Sequence, residues 1–532
     1  MNWVIKENVD NEFVSTLSKE LNISPILSSM LIKRDIKTFD QAKTFFRPNF
    51  EMLHDPFLMK DMSIAVERIQ KAVEKKESIM IFGDYDVDGT SSVALLSLYL
   101  ESLGLCVTKY LPDRKNEGYG ISINAIDNAL KKKQKLIIAL DCGIKAHKQV
   151  EYAKKKGIEF IICDHHNPEK NIPKALAVLN PKRKDCGYPY KELCGCGVGF
   201  KLVQAIESRH SNDNQIINYL DLVALAIAAD VVPLTGENRV LAFIGLQIIN
   251  SNPKLGIHCL LKKNIKKEYT ISDLMYYVGP RINAAGRIKH ASLALELLMC
   301  NEINSAEKLA LEIDELNTSR REIEKDITNQ AIDQVENSSK KLNSIVVFDS
   351  DWNKGVIGIV ASRLVDKYYK PSIVFCESSE GFLTASARSI KGLDLYSVIS
   401  QCKEYIDQFG GHKYAAGLTI KKENLEGFKK RFENIVSQTI DNNVFEQELL
   451  IESKINLSEI TPKFFRILKQ FEPFGPGNKS PVFLSENLQI KGKPLELGKE
   501  KEHIKLNLTQ DNKNSYSSIG FWFSNKFNNL EN

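Results

Sequence analysis

The chain has 532 residues, 43% of them hydrophobic and 26% charged, the balance of a globular protein with real cores and a length that suggests about three domains. Its net charge of +5 excludes bulk charge attraction as a way of holding a polyanion, so any such binding must come from local basic clusters. The N-terminus MNWVIKENVDNEFV lacks a basic segment followed by an apolar one, no run approaches the roughly 18 apolar residues of a membrane-spanning helix, and the ten cysteines form no disulfide-like framework. These features lead to the expectation of a cytoplasmic protein with no membrane segment.

In chain order, residues 1–75 read as amphipathic helix without recognisable chemistry. From Ser78, short apolar runs alternate with helical patterns. SIMIFGDYD precedes a helix from about Thr90, CVTKYLPD a helix near Ile123, and KLIIALDCG a helix over Lys145–Lys155; EFIICDHH and ALAVLNPKR follow. This alternation predicts a doubly wound parallel sheet, class α/β. Helices are predicted over Val198–Arg209, Ile217–Ala229 and Val240–Asn250. The glycine-free charged stretch over about 304–337 reads as a connecting helix or as one more amphipathic core helix. A second, smaller α/β segment spans about 344–438, with SIVVFDSD and PSIVFCES as strands around a helix over Val356–Asp366. From about Phe445, four strand-like runs and one helix over Pro462–Gln470 suggest an OB-like β-barrel, for which about five strands are needed. The predicted domains are thus 1–75, 76–303, a connector 304–340, 341–440 and 441–532.

The acidic residues carry the chemistry. Asp84, Asp86 and Asp88 follow IMIFG, Asp141 follows LIIAL, and Asp164, His165 and His166 follow FIIC. Ligands bind outside the carboxyl ends of strands in such a sheet, so residues spread over some eighty positions should converge there. Clustered carboxylates repel one another unless protons or cations neutralise them, and an oxygen-rich set with imidazole favours Mg²⁺ or Mn²⁺. Two such ions could clamp the attacking and leaving oxygens of a phosphoryl displacement. The DYDVDG stretch alone resembles a calcium loop, but Leu95 stands where that loop needs a glutamate. Cys194 and Cys196 read as small buried residues in a glycine-rich turn, having no second pair or histidine at zinc-site spacing.

In this order, DYDVDGT, DCG, DHH and ADVVPL (with Asp230) resemble the four metal-site motifs of the DHH phosphoesterase superfamily. Further stretches resemble the RecJ family of single-strand-specific exonucleases: PDRKNEGYG, LVALAIAADVVPLTGENR, GPRINAAGR, GVIGIVASRL, SARS, GGHKYAAG and FEPFGPGN. The resemblance spans nearly the whole chain. It implies a DHH domain and a DHH-associated domain joined by a long helix, with an OB-like domain behind. It implies that Asp84, Asp86, Asp88, Asp141, His165 and Asp230 hold two Mn²⁺ or Mg²⁺ ions, with Asp141 bridging them. His166 would sit beside the scissile phosphate, as a further ligand or supporting one. Arg114, Arg281, Ser386 and Arg388 fall on motifs surrounding a 5′-terminal phosphate, where guanidinium forks suit phosphate oxygens. Gly410, Gly411 and His412 are expected in a glycine-rich turn able to approach a phosphate, and Asn283 and Arg287 along the strand's path.

The implied activity is metal-dependent hydrolysis of single-stranded DNA in the 5′→3′ direction to mononucleotides, in DNA repair and recombination. The expected partners are the DNA strand, a helicase and a single-strand-binding protein, with the chain itself a monomer. Two rivals are a DHH phosphodiesterase for short oligonucleotides or cyclic dinucleotides, and a catalytically inactive scaffold for DNA or a partner; intact metal aspartates argue against the latter. Phe471, Phe474 and Trp522 could stack on bases or fill a core, and the C-terminal barrel is expected to be incomplete because relatives continue beyond GFWFSNKFNNLEN.

Overall fold

The computed structural model describes residues 2–7, 9–114, 116–209, 216–338, 342–439 and 448–528; the domain boundaries expected at 340/341 and 440/441 lie outside the described residues. The chain forms two compact units. The larger comprises Asn49–Gln447 with Gly475–Gly477, the smaller Met1–Pro48 with Glu448–Phe474 and Asn478–Asn532.

Strand β1 (Asn2–Ile5) belongs to the smaller unit; in the larger, the helix Met62–Glu74 precedes β2 (Ser78–Gly83), β3 (Cys106–Tyr110), β4 (Leu136–Leu140), β5 (Glu159–Cys163) and β6 (Ala177–Leu179). They form one parallel sheet in the order β3-β2-β4-β5-β6. Its central strands are apolar at nearly every position, as a sheet covered on both faces requires. Met80, Phe82, Ile137 and Ile162 enter one core, and Ile79, Ile81, Ile138 and Ile161 enter the other. All five strands run the same way, so their carboxyl ends open on one edge. The helix Val87–Ser102 begins three residues before the predicted Thr90, because the Asp86 side chain caps it by accepting the Gly89 N–H at 3.0 Å. That earlier start places Asp88 in the first helical turn.

The helix Ile303–Glu336 is 34 residues long, about 51 Å at 1.5 Å per residue. Both readings of this stretch hold. Ala306, Ala310 and Ile313 enter the core of the parallel sheet, whereas Ile327 and Ala331 enter a second core with Trp352, Val360 and Val374. One helix therefore serves as a core element twice and connects the two layers. Beyond it lie β7 (Ile345–Phe348), β8 (Ser372–Ser379), β9 (Phe382–Arg388), β10 (Gln408–His412) and β11 (Ala415–Lys421), in the sheet order β10-β11-β9-β8-β7. Only the β7–β8 pair is parallel. The sequence reading missed β9, β10 and β11. Gly410, Gly411 and His412 are not a turn but the end of β10, hydrogen-bonded in register to Gly417, Ala416 and Ala415. Gly411, with φ +149°, leaves room for the Ala415 carbonyl, which a Cβ there would meet at 2.3 Å.

The smaller unit corrects the reading of the N-terminus as wholly helical. β1 pairs in parallel with β12 (Glu448–Ile451), across the length of the chain. Val14, Leu17, Leu27, Met30 and Leu31 share a core with Ile455, Phe464 and Phe471. Phe471 is fully buried, edge-on to Phe45 and Phe46 at 5.6 and 5.2 Å, so it fills a core and does not present a stacking face. Trp522 is 74% exposed. The C-terminal part holds β13 (Ser453–Lys454) on β14 (Phe483–Leu484), and an antiparallel sheet of β15 (Gln489–Ile490), β16 (Leu495–Leu497), β17 (His503–Thr509) and β18 (Tyr516–Gly520) centred on β17. Among the described residues, no helix is long and apolar enough to cross a membrane.

Candidate active site

The strand-end acids do converge. Three groups of ligand atoms each lie within 4.8 Å of one another: Asp84, Asp86 and Asp141; Asp141, His165 and His166; and Asp88, His165 and Asp230. Asp141 and His165 are each shared by two of them. The Nε2 atom of His165 lies 3.1 Å from Asp141, 3.6 Å from Asp230 and 3.9 Å from Asp88. Asp230 ends the helix Leu220–Asp230, from which the chain turns away through Val231 at φ 59°.

The electrostatics are those of a cation site. Burial, and then the neighbouring Asp86, push the carboxyls of Asp84 and Asp88 up, that of Asp88 to about 7. Asp141 is raised by burial and by four aspartates around it, Asp88 first. Burial holds His165 down to about 3, leaving a neutral imidazole with a lone pair to offer. Asp84 Oδ1, Asp141 Oδ1 and both ring nitrogens of His165 are buried without a hydrogen-bond partner among the described residues. Orphaned buried oxygen and nitrogen atoms in a crowd of carboxylates fit divalent ions such as Mn²⁺ or Mg²⁺.

Two aspartates that look alike in sequence behave differently. Asp164 turns both oxygens to protein donors: Oδ2 accepts the Ile144 N–H at 2.9 Å, and Oδ1 accepts the His165 and His166 N–H groups at 2.7 and 3.0 Å. Oδ1 also lies 2.7 Å from His166 Nδ1. Despite burial, which acts the other way, the bond to His166 lowers the Asp164 carboxyl to about 2; reciprocally His166 rises to about 9. Asp164 therefore orients the histidines. Asp88 is held by the chain as well, its oxygens accepting the Gly195 and Cys196 N–H groups at 2.7 Å each. The Cys-Gly-Cys turn is thus the start of the helix Gly195–Glu207, presenting free N–H groups to a site carboxylate. Its cysteines are free thiols, as expected. The role of Gly195 escaped the sequence reading, although a glycine-rich helix start was its visible sign.

Beside the cluster lies a cleft of about 820 Å³, lined by Tyr85, Arg114, Arg287, Ser386, Arg388 and Gly410 among others. Along β9 burial alternates, so Leu383, Ala385 and Ala387 face the core while Ser386 and Arg388 share the cleft face. Arg388 Nη1 donates to Ser386 Oγ at 3.1 Å, and Gly358 leaves them room, since a Cβ there would stand 2.9 Å from Ser386 Oγ. Arg114 lies over the Tyr85 ring at 4.8 Å. Burial, then Arg114, Arg320 and Arg388, lower Arg287 to about 9. Among the described residues none of Arg114, Arg287 and Arg388 has a carboxylate at ion-pair distance. His412 is near enough to feel Arg388 and His166, though burial is the larger cause of its lowered basicity. Arg281 and Asn283 are not brought to this cleft; Arg281 instead donates to Asp314 at 2.5 Å and to the Tyr277 carbonyl at 2.7 Å.

A parallel sheet with such a carboxylate–histidine cluster at its strand ends defines a metal-dependent phosphoesterase of the DHH type. Residues 78–227 match the DHH family N-terminal domain, 340–438 the DHHA1 domain and 451–532 the RecJ OB domain. The chain is 36% identical over 524 residues to the single-stranded-DNA-specific exonuclease RecJ of Bacillus subtilis, covering 98% of this chain and 66% of that one. It is 36% identical to the enzyme of that name from Haemophilus influenzae, covering 91% and 86%. The structure of RecJ from Thermus thermophilus in complex with Mn²⁺ superposes with a TM-score of 0.83 at 25% identity, covering 98% of this chain and 76% of the other. A structure of exonuclease RecJ bound to manganese gives 0.63 at 30% identity, covering 73% and 97%. The chain belongs to the RecJ family of DHH exonucleases.

Proposed function

We propose that the chain hydrolyses single-stranded DNA from its 5′ end, releasing mononucleotides, with Asp84, Asp86, Asp88, Asp141, His165 and Asp230 as ligands of two divalent ions. The observation that carries the reading is the adjacency of two differently charged sites. Asp84 belongs to the acidic cluster, and the next residue, Tyr85, lines the cleft whose three arginines have no carboxylate at ion-pair distance among the described residues. A 5′-phosphomonoester carries close to two negative charges near neutral pH, more than an internal diester, and gains most from three guanidinium groups. With that phosphate in the cleft, the first phosphodiester of the strand would lie toward the adjoining carboxylates.

Two divalent ions held there would polarise this phosphodiester and make water a competent nucleophile at neutral pH. Asp141 and His165 each belong to two of the three ligand groups, and of the two Asp141 has a pair of carboxylate oxygens to share, so it would be the ligand common to both ions. Gly195 and Cys196 fix Asp88, and Asp164 fixes both histidines, so the ligand atoms are in place before substrate arrives. His166, bonded to Asp164 through Nδ1, has its other nitrogen 3.4 Å from the Tyr119 hydroxyl and belongs to one of the ligand groups, where it would serve as a further ligand or as a contact to a phosphate oxygen. Arg388 and Ser386 orient the terminal phosphate.

A role in repair and recombination completes the reading, with a helicase and a single-strand-binding protein as partners. So do a monomeric state and residence in the reducing cytoplasm, the latter supported by ten free cysteines. The test is incubation of 5′-labelled single-stranded DNA with Mn²⁺ or Mg²⁺. Labelled mononucleotide should be the first product, and duplex should resist. Release from the 3′ end, or no release with either metal, would overturn the proposal.

A further inference from the structure

The carboxyl edge of the parallel sheet carries a second hollow on the other side of the carboxylates. After β5 and β6 the chain forms a cleft of about 530 Å³, lined chiefly by Asn167, Lys182, Arg183, Lys184, Lys191 and Glu192. Arg183 is buried and committed inward, to Asp61 at 2.6 Å, Asp185 at 2.7 Å and the Val178 carbonyl at 2.6 Å, where it braces the loop. The lysines are what the cleft offers. Lys184 is exposed and has no ion-pair partner among the described residues. Lys182, partly buried, pairs with the half-exposed Glu192 at 3.3 Å and stands near enough to His165 and Asp230 to act on their charge, and Lys191 donates to the Cys186 carbonyl at 2.8 Å. A partly exposed ion pair and a single carbonyl contact hold these lysines weakly, and a phosphate can replace them.

The cleft hangs directly on the Asp-His-His loop. Asn180 is fully buried; its side-chain amide donates to the His166 carbonyl at 2.9 Å, and its oxygen accepts the Lys182 N–H at 2.8 Å. Strand order then sets a direction. Along the edge β3-β2-β4-β5-β6, Arg114 follows β3, Asp84 to Asp88 follow β2, Asp141 follows β4, the histidines follow β5, and the lysines follow β6. Neighbouring strands are about 4.8 Å apart, so the lysine loop begins about 10 Å from Asp141, on the side away from Arg114.

We infer that the backbone phosphates on the 3′ side of the scissile bond run along the Lys182–Lys184–Lys191 cleft, so that the strand crosses the sheet edge from β3 to β6. This rests on the 5′-end reading above. The chemistry recognised is the phosphate of a single-stranded polynucleotide, without base identity, and the cleft would favour long strands over dinucleotides.

The test compares the full chain with its Lys184→Gln and Lys182→Gln/Lys184→Gln variants on 5′-phosphorylated oligothymidylates of increasing length. For a 20-mer, the double variant should raise KM roughly tenfold and reduce the slope of log affinity against log salt by about 1.4, two contacts at ~0.7 each. For a dinucleotide, which would end short of Lys184, the change in KM of the Lys184→Gln variant should be several-fold smaller than its change with the 20-mer. Equal losses on both substrates, or an unchanged salt slope with the 20-mer, would overturn the inference. End-labelled substrates with the unaltered protein keep the underlying reading separate. Attack from the 3′ end would refute the 5′-end reading, whereas a length-independent effect would refute only the cleft.

Discussion

Replacing Gly195 by alanine perturbs the metal site without replacing any of its proposed ligands. A Cβ on Gly195 would stand 2.6 Å from both Cβ and Oδ1 of Asp141, about 0.8 Å inside the 3.4 Å at which ordinary contact begins. Gly195 has little freedom to retreat, because its N–H is held at 2.7 Å by Asp88 Oδ2. Asp141 already sits at φ 58° with its N–H bonded to the Cys163 carbonyl at 2.9 Å, so the displacement falls on its carboxylate or pulls Asp88 off its donors. Either shift exceeds the roughly 0.2 Å tolerance of a metal–ligand distance. The expected result is a 10- to 100-fold weaker affinity for Mn²⁺, the usual cost of disturbing the groups that support ligands. Overpacking should cost about 1–3 kcal/mol of stability. Activity titrated against Mn²⁺ measures the first, and urea unfolding of the metal-free protein the second. A Gly195→Ala variant with unchanged Mn²⁺ dependence would refute the argument that this helix start positions Asp88 and Asp141.

Mn²⁺ should raise the melting temperature and chelation should lower it, since about 2.7 kcal/mol is gained at a hundred times Kd and the mutual repulsion of the carboxylates is relieved; a metal-independent melt would count against the site. Gly358→Ala should push Ser386 and Arg388 aside and weaken preference for a 5′-phosphate by about 10-fold or more, the worth of a charge-assisted bond, while hydrolysis of 5′-hydroxyl strands changes little; competition between the two substrates reads this out. In the metal-free protein, the depressed Asp164 carboxyl contributes stability that is complete above its unfolded value near 3.8 and is lost as pH falls toward about 2. The unaltered protein should therefore be more stable than Asp164→Asn at pH 5, with the gap narrowing by pH 3; a gap constant across that range would contradict the pairing.

The strand-end acids were legible because each follows a run of apolar residues, as in LIIAL before Asp141, and parallel strands bring their carboxyl ends to one edge. The connecting helix was legible for a similar local reason, an unbroken glycine-free periodic stretch. β9 and β10 were not, although TASAR alternates inward alanines with outward Ser386 and Arg388. Their short, glycine-flanked runs gain their pairing only from β8 and β11, and nothing local reports a neighbour supplied from elsewhere. The joining of residues 1–48 to the C-terminal part was equally hidden, because Leu17 and Leu27 meet Phe471 across more than four hundred residues.

By itself the sequence determined which side chains could bind metal and phosphate, and that a wound sheet would collect them. The division of labour among them was a tertiary matter. Asp84, Asp141 and Asp164 all follow apolar strands, yet the first two keep a buried oxygen free and the third spends both on backbone and histidine donors. The difference arises because an N–H supplied by Ile144, or withheld, depends on how a neighbouring loop closes over the strand end, and pairing patterns along one chain do not encode that closure.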